Sequence, residues 1–256
     1  MIISICNQKG GVGKTAIATE LARHLTLNDR SVLLVDMDPQ ASATSILGVE
    51  RDGQMPTVYD LLTPEPPSRQ TILQTVLPAS SAWGPIACLA AERALADGES
   101  DSTIGREMRL RRILTEVKDD YDDIVIDCPP ALGVLTANAL VAAKQVLLVT
   151  EPRVESAQAL AQALQTIANV KAYYNPPLLP AGILINRFRK GRKDQVQWIS
   201  QIREIYRDLV LDVDIPEREA LARGASDSLP VDLIPGTNEL VDLFDVLAQT
   251  LLGGRG

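Results

Sequence analysis

The chain has 256 residues, 46% of them hydrophobic, which suits one sizeable α/β domain with a buried core. Only 4% are aromatic, so that core must be built from Leu, Ile, Val and Ala. A formal charge of −8, from 25 basic against 33 acidic residues, excludes a surface coated for nucleic acid, and any such contact must come from a local patch. No apolar run approaches the roughly 20 residues that cross a bilayer. The start, MIISICNQKGG, lacks the basic lead and apolar stretch of a signal peptide. The expectation is a soluble, cytosolic protein. Cys6, Cys88 and Cys128 are an odd count at wide spacings, which disfavours disulfides or a CxxC metal site. Cys6 and Cys128 end apolar strand patterns and are expected as small buried thiols.

Ile2–Cys6 is apolar except for Ser4, as a strand buried on both faces of a parallel sheet should be. Loop Asn7–Gly13 follows, then an amphipathic helix over 14–27 and a second buried strand, Val32–Val35, ending in Asp36. This is a βαβ unit with a right-handed crossover. Residues 52–103 are the least regular part, because Pro56, Pro64, Pro66, Pro67, Pro78 and Pro85 break any long element, with one short helix near 58–62. A helix over 105–118 leads to a third strand, Ile124–Ile126, again ending in an acid, Asp127. Val146–Val149 and Ile183–Ile185 read as further strands, and helices are expected near 156–174, 195–209 and from about 237 onward. Strands alternating with helices along the whole length, with no repeat or linker, predict one doubly wound, mostly parallel α/β domain over 1–256.

Lys9-Gly10-Gly11-Val12-Gly13-Lys14-Thr15 follows a buried strand and opens a helix, the context that a phosphate-binding loop requires. Glycines let backbone N–H groups turn toward phosphate oxygens, and the helix N-terminus adds partial positive charge. Lys14 is placed to neutralise the β- and γ-phosphates of a nucleotide, and Thr15 to put its hydroxyl on Mg²⁺. The loop departs from the general pattern by lacking its first glycine and carrying a second lysine, Lys9. A second cation suits a transferring phosphoryl group whose charge is spread over several oxygens.

This loop resembles the deviant Walker A loop of the ParA/MinD family of ATPases. The resemblance implies that residues Lys9 to Ala16 cradle ATP, with Lys9 reaching across a dimer onto the partner's nucleotide. LLVDMDPQASAT (33–44) is similar to the ParA segment in which Asp38 orients the attacking water and Asp36 lies near the metal. As residues alone, both acids could also be helix caps or turn formers. YDDIVIDCPPALGVLTANAL (121–140) resembles the family's Walker B strand and switch, where Asp127 holds the Mg²⁺ shell through water and Pro129-Pro130 stiffen the turn that senses the γ-phosphate. GILINRF (182–188) and DIPEREALARGASDSLPV (214–231) look like the segments at the adenine, which nominates Asn186, Pro216 and Arg218 as base contacts. Glu217 stands where chromosomal members commonly carry Arg, and Asp227 lies in a stretch usually free of Asp; both make this surface more acidic.

Arg187, Arg189, Lys190, Arg192 and Lys193 put five cations into seven residues with no acid among them. Such a cluster can hold DNA phosphates without reading sequence, and the resemblance implies nonspecific DNA binding by an ATP-bound homodimer. Arg106, Arg109, Arg111 and Arg112 are read as a surface helix face. MinD-type members end in a basic amphipathic helix that lies on lipid, whereas the last helix here carries Glu239, Asp242 and Asp245 with no cation before Arg255, so no membrane partner is expected. The family implies a nucleoid-associated switch that positions plasmid, chromosome or another large cargo, released by a ParB-like protein or adaptor. The competing reading is a metabolic enzyme on the same loop, similar to dethiobiotin synthetase or the nitrogenase iron protein. The latter needs a cysteine pair at a subunit interface, and Cys128 has no second cysteine placed to serve.

Overall fold

The computed structural model describes residues 1–189 and 191–253. Eight strands form a single sheet: β1 (Ile2–Cys6), β2 (Val32–Asp36), β3 (Leu77–Pro78), β4 (Ile86–Leu89), β5 (Asp123–Asp127), β6 (Gln145–Thr150), β7 (Leu179–Phe188) and β8 (Val210–Pro216). Their order is β3-β4-β2-β5-β1-β6-β7-β8, parallel throughout except for the two-residue β3. The helices are α1 (Lys14–Leu27), α2 (Ser42–Ile46), α3 (Val58–Leu61), α4 (Arg69–Thr75), α5 (Arg109–Val117), α6 (Val134–Ala142), α7 (Ser156–Tyr173), α8 (Lys193–Tyr206), α9 (Glu219–Asp227) and α10 (Asn238–Gly253).

Side chains alternate across each strand, and the sheet therefore feeds two separate apolar layers. Leu33, Val35, Ile124, Ile126, Val146 and Leu148 point to the face covered by α5, α6 and α7. Ile3, Ile5, Leu34, Val125, Leu147 and Val149 point to the other face, against α1 and α10. Every residue of β2 and β5 is buried, which explains why these strands read as continuous apolar runs. Cys6 and Cys128 are free, buried thiols with their Sγ atoms 2.9 Å apart.

The Pro-rich stretch holds more regular structure than its composition suggests. Residues 52–103 contain α3, α4, β3 and β4, and β4 pairs in parallel with β2 in the interior of the sheet. The prolines fall between these elements rather than inside them, apart from Pro78 on the antiparallel edge pair, where a missing donor is tolerated. The helix expected over 105–118 is a 3₁₀ turn, Arg106–Met108, followed by α5.

Strand β1 sits where the winding reverses: the chain moves from it to β2, β3, β4 and β5 on one side and later to β6, β7 and β8 on the other. Open α/β sheets bind ligands at this crevice, beyond the C-terminal strand ends.

One buried acid in this core has a consequence for stability. Glu20 on α1 is 4% exposed and accepts a hydrogen bond from the Val231 backbone N–H at 3.1 Å. Burial, joined by the nearby Asp232 charge, pushes its carboxyl from 4.5 up to about 8, against smaller opposing effects of that N–H and Arg23. The folded chain holds this proton more tightly than the unfolded chain, so stability is full below the unfolded value and falls as pH rises toward 8. The loss should be on the order of 3–5 kcal/mol. Urea unfolding at pH 5 and pH 8.5 should show that the variant Glu20→Gln removes most of this slope; an unchanged slope would refute the assignment.

Candidate nucleotide site

The loop after β1 is fixed before it is filled. Asn7, buried, donates from Nδ2 to the Val149 carbonyl at 2.5 Å and accepts the Lys9 backbone N–H on Oδ1 at 3.1 Å, pinning the loop entrance between β1 and β6. Gly11 and Gly13 have φ of 79° and 89°, the left-handed region open to glycine at little cost. Gly13 also has no room for a side chain, since a Cβ there would lie 2.4 Å from Nδ2 of Asn186. It caps α1 without any side-chain hydrogen bond, and no acid occupies the first turn. The first N–H groups of α1 therefore remain available to an anion. Lys14, only 6% exposed, sits at that end. Pro130 of the segment after β5 lies against the loop, 3.7 Å from where a Gly10 Cβ would stand.

Two acids lie side by side at the ends of adjacent strands, Asp36 of β2 and Asp127 of β5, paired in register and both fully buried. Their partners differ. Asp36 accepts the Thr44 backbone N–H at 2.9 Å, the Thr44 hydroxyl at 2.8 Å and the Asp38 N–H at 3.1 Å, so it ties α2 to the strand and shapes the turn that carries Asp38. Burial raises its carboxyl to about 6 despite these bonds, with the Asp38 charge adding to the rise. Asp127 has no hydrogen bond of good geometry on either carboxylate oxygen. Burial, with Asp36 as the next cause, holds its carboxyl well above the usual range, and the nearby Thr15 hydroxyl and Lys14 ammonium offset only part. A buried carboxylate without partners is costly unless a cation meets it. Among the described residues no three His, Cys, Asp or Glu side chains gather to hold a metal by themselves. The buried Asp127 carboxylate beside the Thr15 hydroxyl suits Mg²⁺, which takes one or two protein ligands and completes its shell with phosphate and water.

A cleft of about 590 Å³ opens beside the loop and brings together Gly13, Ala16, Asn186, Pro216 and Arg218, all nominated from the sequence for the nucleotide. Within it Asn186 is turned toward the loop: Nδ2 donates to the Val12 carbonyl at 2.8 Å and Oδ1 accepts the Arg187 N–H at 2.9 Å. Lys9 points the other way, its Nζ 3.2 Å from Glu155 at the start of α7.

The cation cluster is less free than its sequence suggests. Arg187 donates to the Gly11 carbonyl and lies 3.3 Å from the buried Glu151, Arg189 pairs with Glu217, and Arg192 lies 3.2 Å from Asp194. Lys193 is exposed at the start of α8, and Lys190 lies outside the described residues. The acidic departure Glu217 thus neutralises one candidate DNA-binding arginine directly. Asn7, Glu151 and Glu155 escaped the sequence reading. An Asn at the strand-to-loop junction is a turn signal that could have flagged the first; the pairings of Glu151 with Arg187 and of Glu155 with Lys9 join residues far apart in the chain and have no local signature.

A glycine turn at a topological switch point, an open helix N-terminus with a buried lysine, and an unpartnered carboxylate on the neighbouring strand define a phosphate-loop nucleoside triphosphatase. A family model described as an AAA domain matches residues 1–179. The chain is 37% identical over 254 residues to the sporulation initiation inhibitor protein Soj of Bacillus subtilis, covering 97% of this chain and 96% of that protein. It is also 37% identical over 257 residues to the chromosome partitioning protein ParA of Myxococcus xanthus, covering 98% and 87%. Among solved structures, apo McdA from Cyanothece superposes with a TM-score of 0.85 at 22% identity, covering 98% of each chain, which speaks to the fold alone. Cobyrinic acid a,c-diamide synthase from Mycobacterium smegmatis, solved with ADP and magnesium, gives 0.81 at 28% identity, covering 98% of this chain and 93% of that one. The chain belongs to the Soj/ParA family of chromosome-partitioning ATPases. Among the described residues no helix is long and apolar enough to cross a membrane.

Proposed function

We propose that this ATPase, working as one domain over 1–256, is a DNA-bound positioning switch: Mg²⁺ and ATP close a homodimer that binds nonspecific DNA, and hydrolysis releases it. The carrying observation is the unpartnered Asp127 carboxylate beside Lys14 and Thr15. In this reading the N–H groups of Gly10 to Lys14 and the Lys14 ammonium hold the β- and γ-phosphates. Thr15 and, through water, Asp127 would hold Mg²⁺, with Asp36 near it. The bound ion neutralises phosphate charge, and Ala16, Asn186, Pro216 and Arg218 wall the base. Asp38, 9% exposed on the turn that Asp36 organises, orients the attacking water.

Arg189, Lys190, Arg192 and Lys193 supply the DNA contacts, and dimerisation doubles this patch on a chain whose net charge otherwise repels DNA. A ParB-like centromere-binding protein or cargo adaptor would accelerate hydrolysis. The working dimer is then cytoplasmic and nucleoid-associated, carrying a plasmid, chromosome or other large cargo. Most of the free energy of the cycle lies in the difference in affinity between ATP and ADP states.

The reading is tested by DNA binding with ATP, with ADP and without nucleotide. ATP alone should give salt-sensitive retention of random-sequence DNA. The variant Glu217→Gln frees Arg189 and should tighten that binding roughly threefold to tenfold at low salt. Equal DNA binding in all three nucleotide conditions would reject the switch and favour a metabolic enzyme on the same loop.

A further inference from the structure

We infer that Arg187 is a positioning residue of the phosphate loop, held there by the buried Glu151, and that it sets the affinity for the triphosphate rather than for DNA. This rests on the nucleotide reading above and extends it to a residue that the sequence groups with the DNA cations.

The local backbone is built for this. The pairing of β7 with β8 slips between Asn186 and Phe188, and the extra residue, Arg187, has φ of 55°. A side chain with a Cβ adopts that conformation only where its surroundings compensate. Such bulges re-aim single side chains and are frequent beside active sites. Here the bulge turns Arg187 back over the loop, where Nη1 donates to the Gly11 carbonyl. The preceding residue, Asn186, donates to the next carbonyl, that of Val12. Two consecutive loop carbonyls are therefore drawn toward β7. Because each peptide is planar, anchoring a carbonyl on one side directs the following N–H to the other, which is the side where a phosphate must sit.

The anchor is itself anchored. Glu151 is 5% exposed in its side chain, at the end of β6, and its carboxylate meets Arg187 at 3.3 Å and Arg153 at 2.7 Å. A carboxylate this buried needs its cations, so Arg187 has a fixed post at the loop, although its side chain is 45% exposed at the outer edge. A purely DNA-facing arginine would require neither the bulge nor a buried counter-ion.

The test compares Arg187→Ala, Arg187→Lys and Glu151→Gln in the full chain. The readouts are MgATP binding by calorimetry, the KM and kcat of ATP hydrolysis, and retention of DNA at saturating ATP. Arg187→Ala is expected to weaken MgATP binding about tenfold and raise KM accordingly, with kcat little changed. Arg187→Lys should recover part of the affinity, because an ammonium can still reach one carbonyl. Glu151→Gln should shift affinity in the same direction as Arg187→Ala while the circular dichroism melt shows a folded chain. At saturating ATP all three should retain DNA as the parent does. Parental MgATP affinity in Arg187→Ala, with DNA retention lost, would overturn the proposal and return Arg187 to the DNA surface. Failure of the parent chain itself to bind MgATP would instead overturn the nucleotide reading, and this proposal with it.

Discussion

Lys9→Ala is expected to leave the chain monomeric in saturating MgATP, where the parent sediments as a dimer. Lys9 is turned away from its own loop: among the described residues its Nζ pairs with Glu155, 3.2 Å away and with 68% of its side chain exposed. Solvent-exposed pairs of this kind contribute little, so the lysine is readily exchanged onto a stronger anion. A triphosphate on the facing subunit is such an anion. In a two-fold dimer the contact occurs twice. At about 2 kcal/mol for each desolvated charge contact, losing both weakens dimerisation about a thousandfold. Sedimentation velocity with MgATP checks this directly; a variant that dimerises like the parent would remove Lys9 from the interface. Nucleotide binding by the monomer should survive, since Lys14 and the loop N–H groups remain.

The opposite phenotype is expected of Asp38→Ala. Asp38 lies on the turn between β2 and α2, where its Oδ1 accepts the Gln40 N–H at 2.9 Å and its own N–H is held by Asp36. One carboxylate oxygen is thereby engaged in the turn, and in the proposed function the other orients water. Removing a positioned proton acceptor slows a step by about 10²–10⁴. Because MgATP is still bound and only its turnover is slowed, the ATP-state dimer should persist through a time course in which the parent returns to monomer. Phosphate release followed alongside sedimentation checks both halves. Parental turnover in this variant would show that another group directs the water.

Much of this fold was legible because the central strands are buried on both faces. β1, β2 and β5 are short apolar runs, broken inside only by Ser4 of β1, and each of the latter two ends in an acid at the C-terminal side of the sheet. Three strands were not legible, the two-residue edge strand β3 among them. β4 is four residues, Ile-Ala-Cys-Leu, following Pro85, and only its pairing with β2 makes it a strand. β8 is interrupted by Asp212 and Asp214, the second of which is held by Arg203 at 2.9 Å from the neighbouring α8. A carboxylate that reads as a break is accommodated because its cation comes from another element.

The site divides the same way. Gly13, Lys14 and Thr15 are adjacent in the chain, and their chemistry follows from local backbone rules: a left-handed turn, a helix N-terminus, a cation and a hydroxyl. The sequence alone therefore determined the glycine turn, the helix N-terminus and the cation that suit a polyphosphate, and that Asp127 ends the strand beside them. It could not determine which charges are free. Glu151 reaches Arg187, Glu217 reaches Arg189 and Glu155 reaches Lys9 across 36, 28 and 146 residues of sequence. Those meetings depend on the order of β1, β6, β7 and β8 in the sheet, which no short-range preference encodes. Counting cations along the chain gave a patch of five; tertiary structure turned one of them toward the phosphate loop and paired two others with acids.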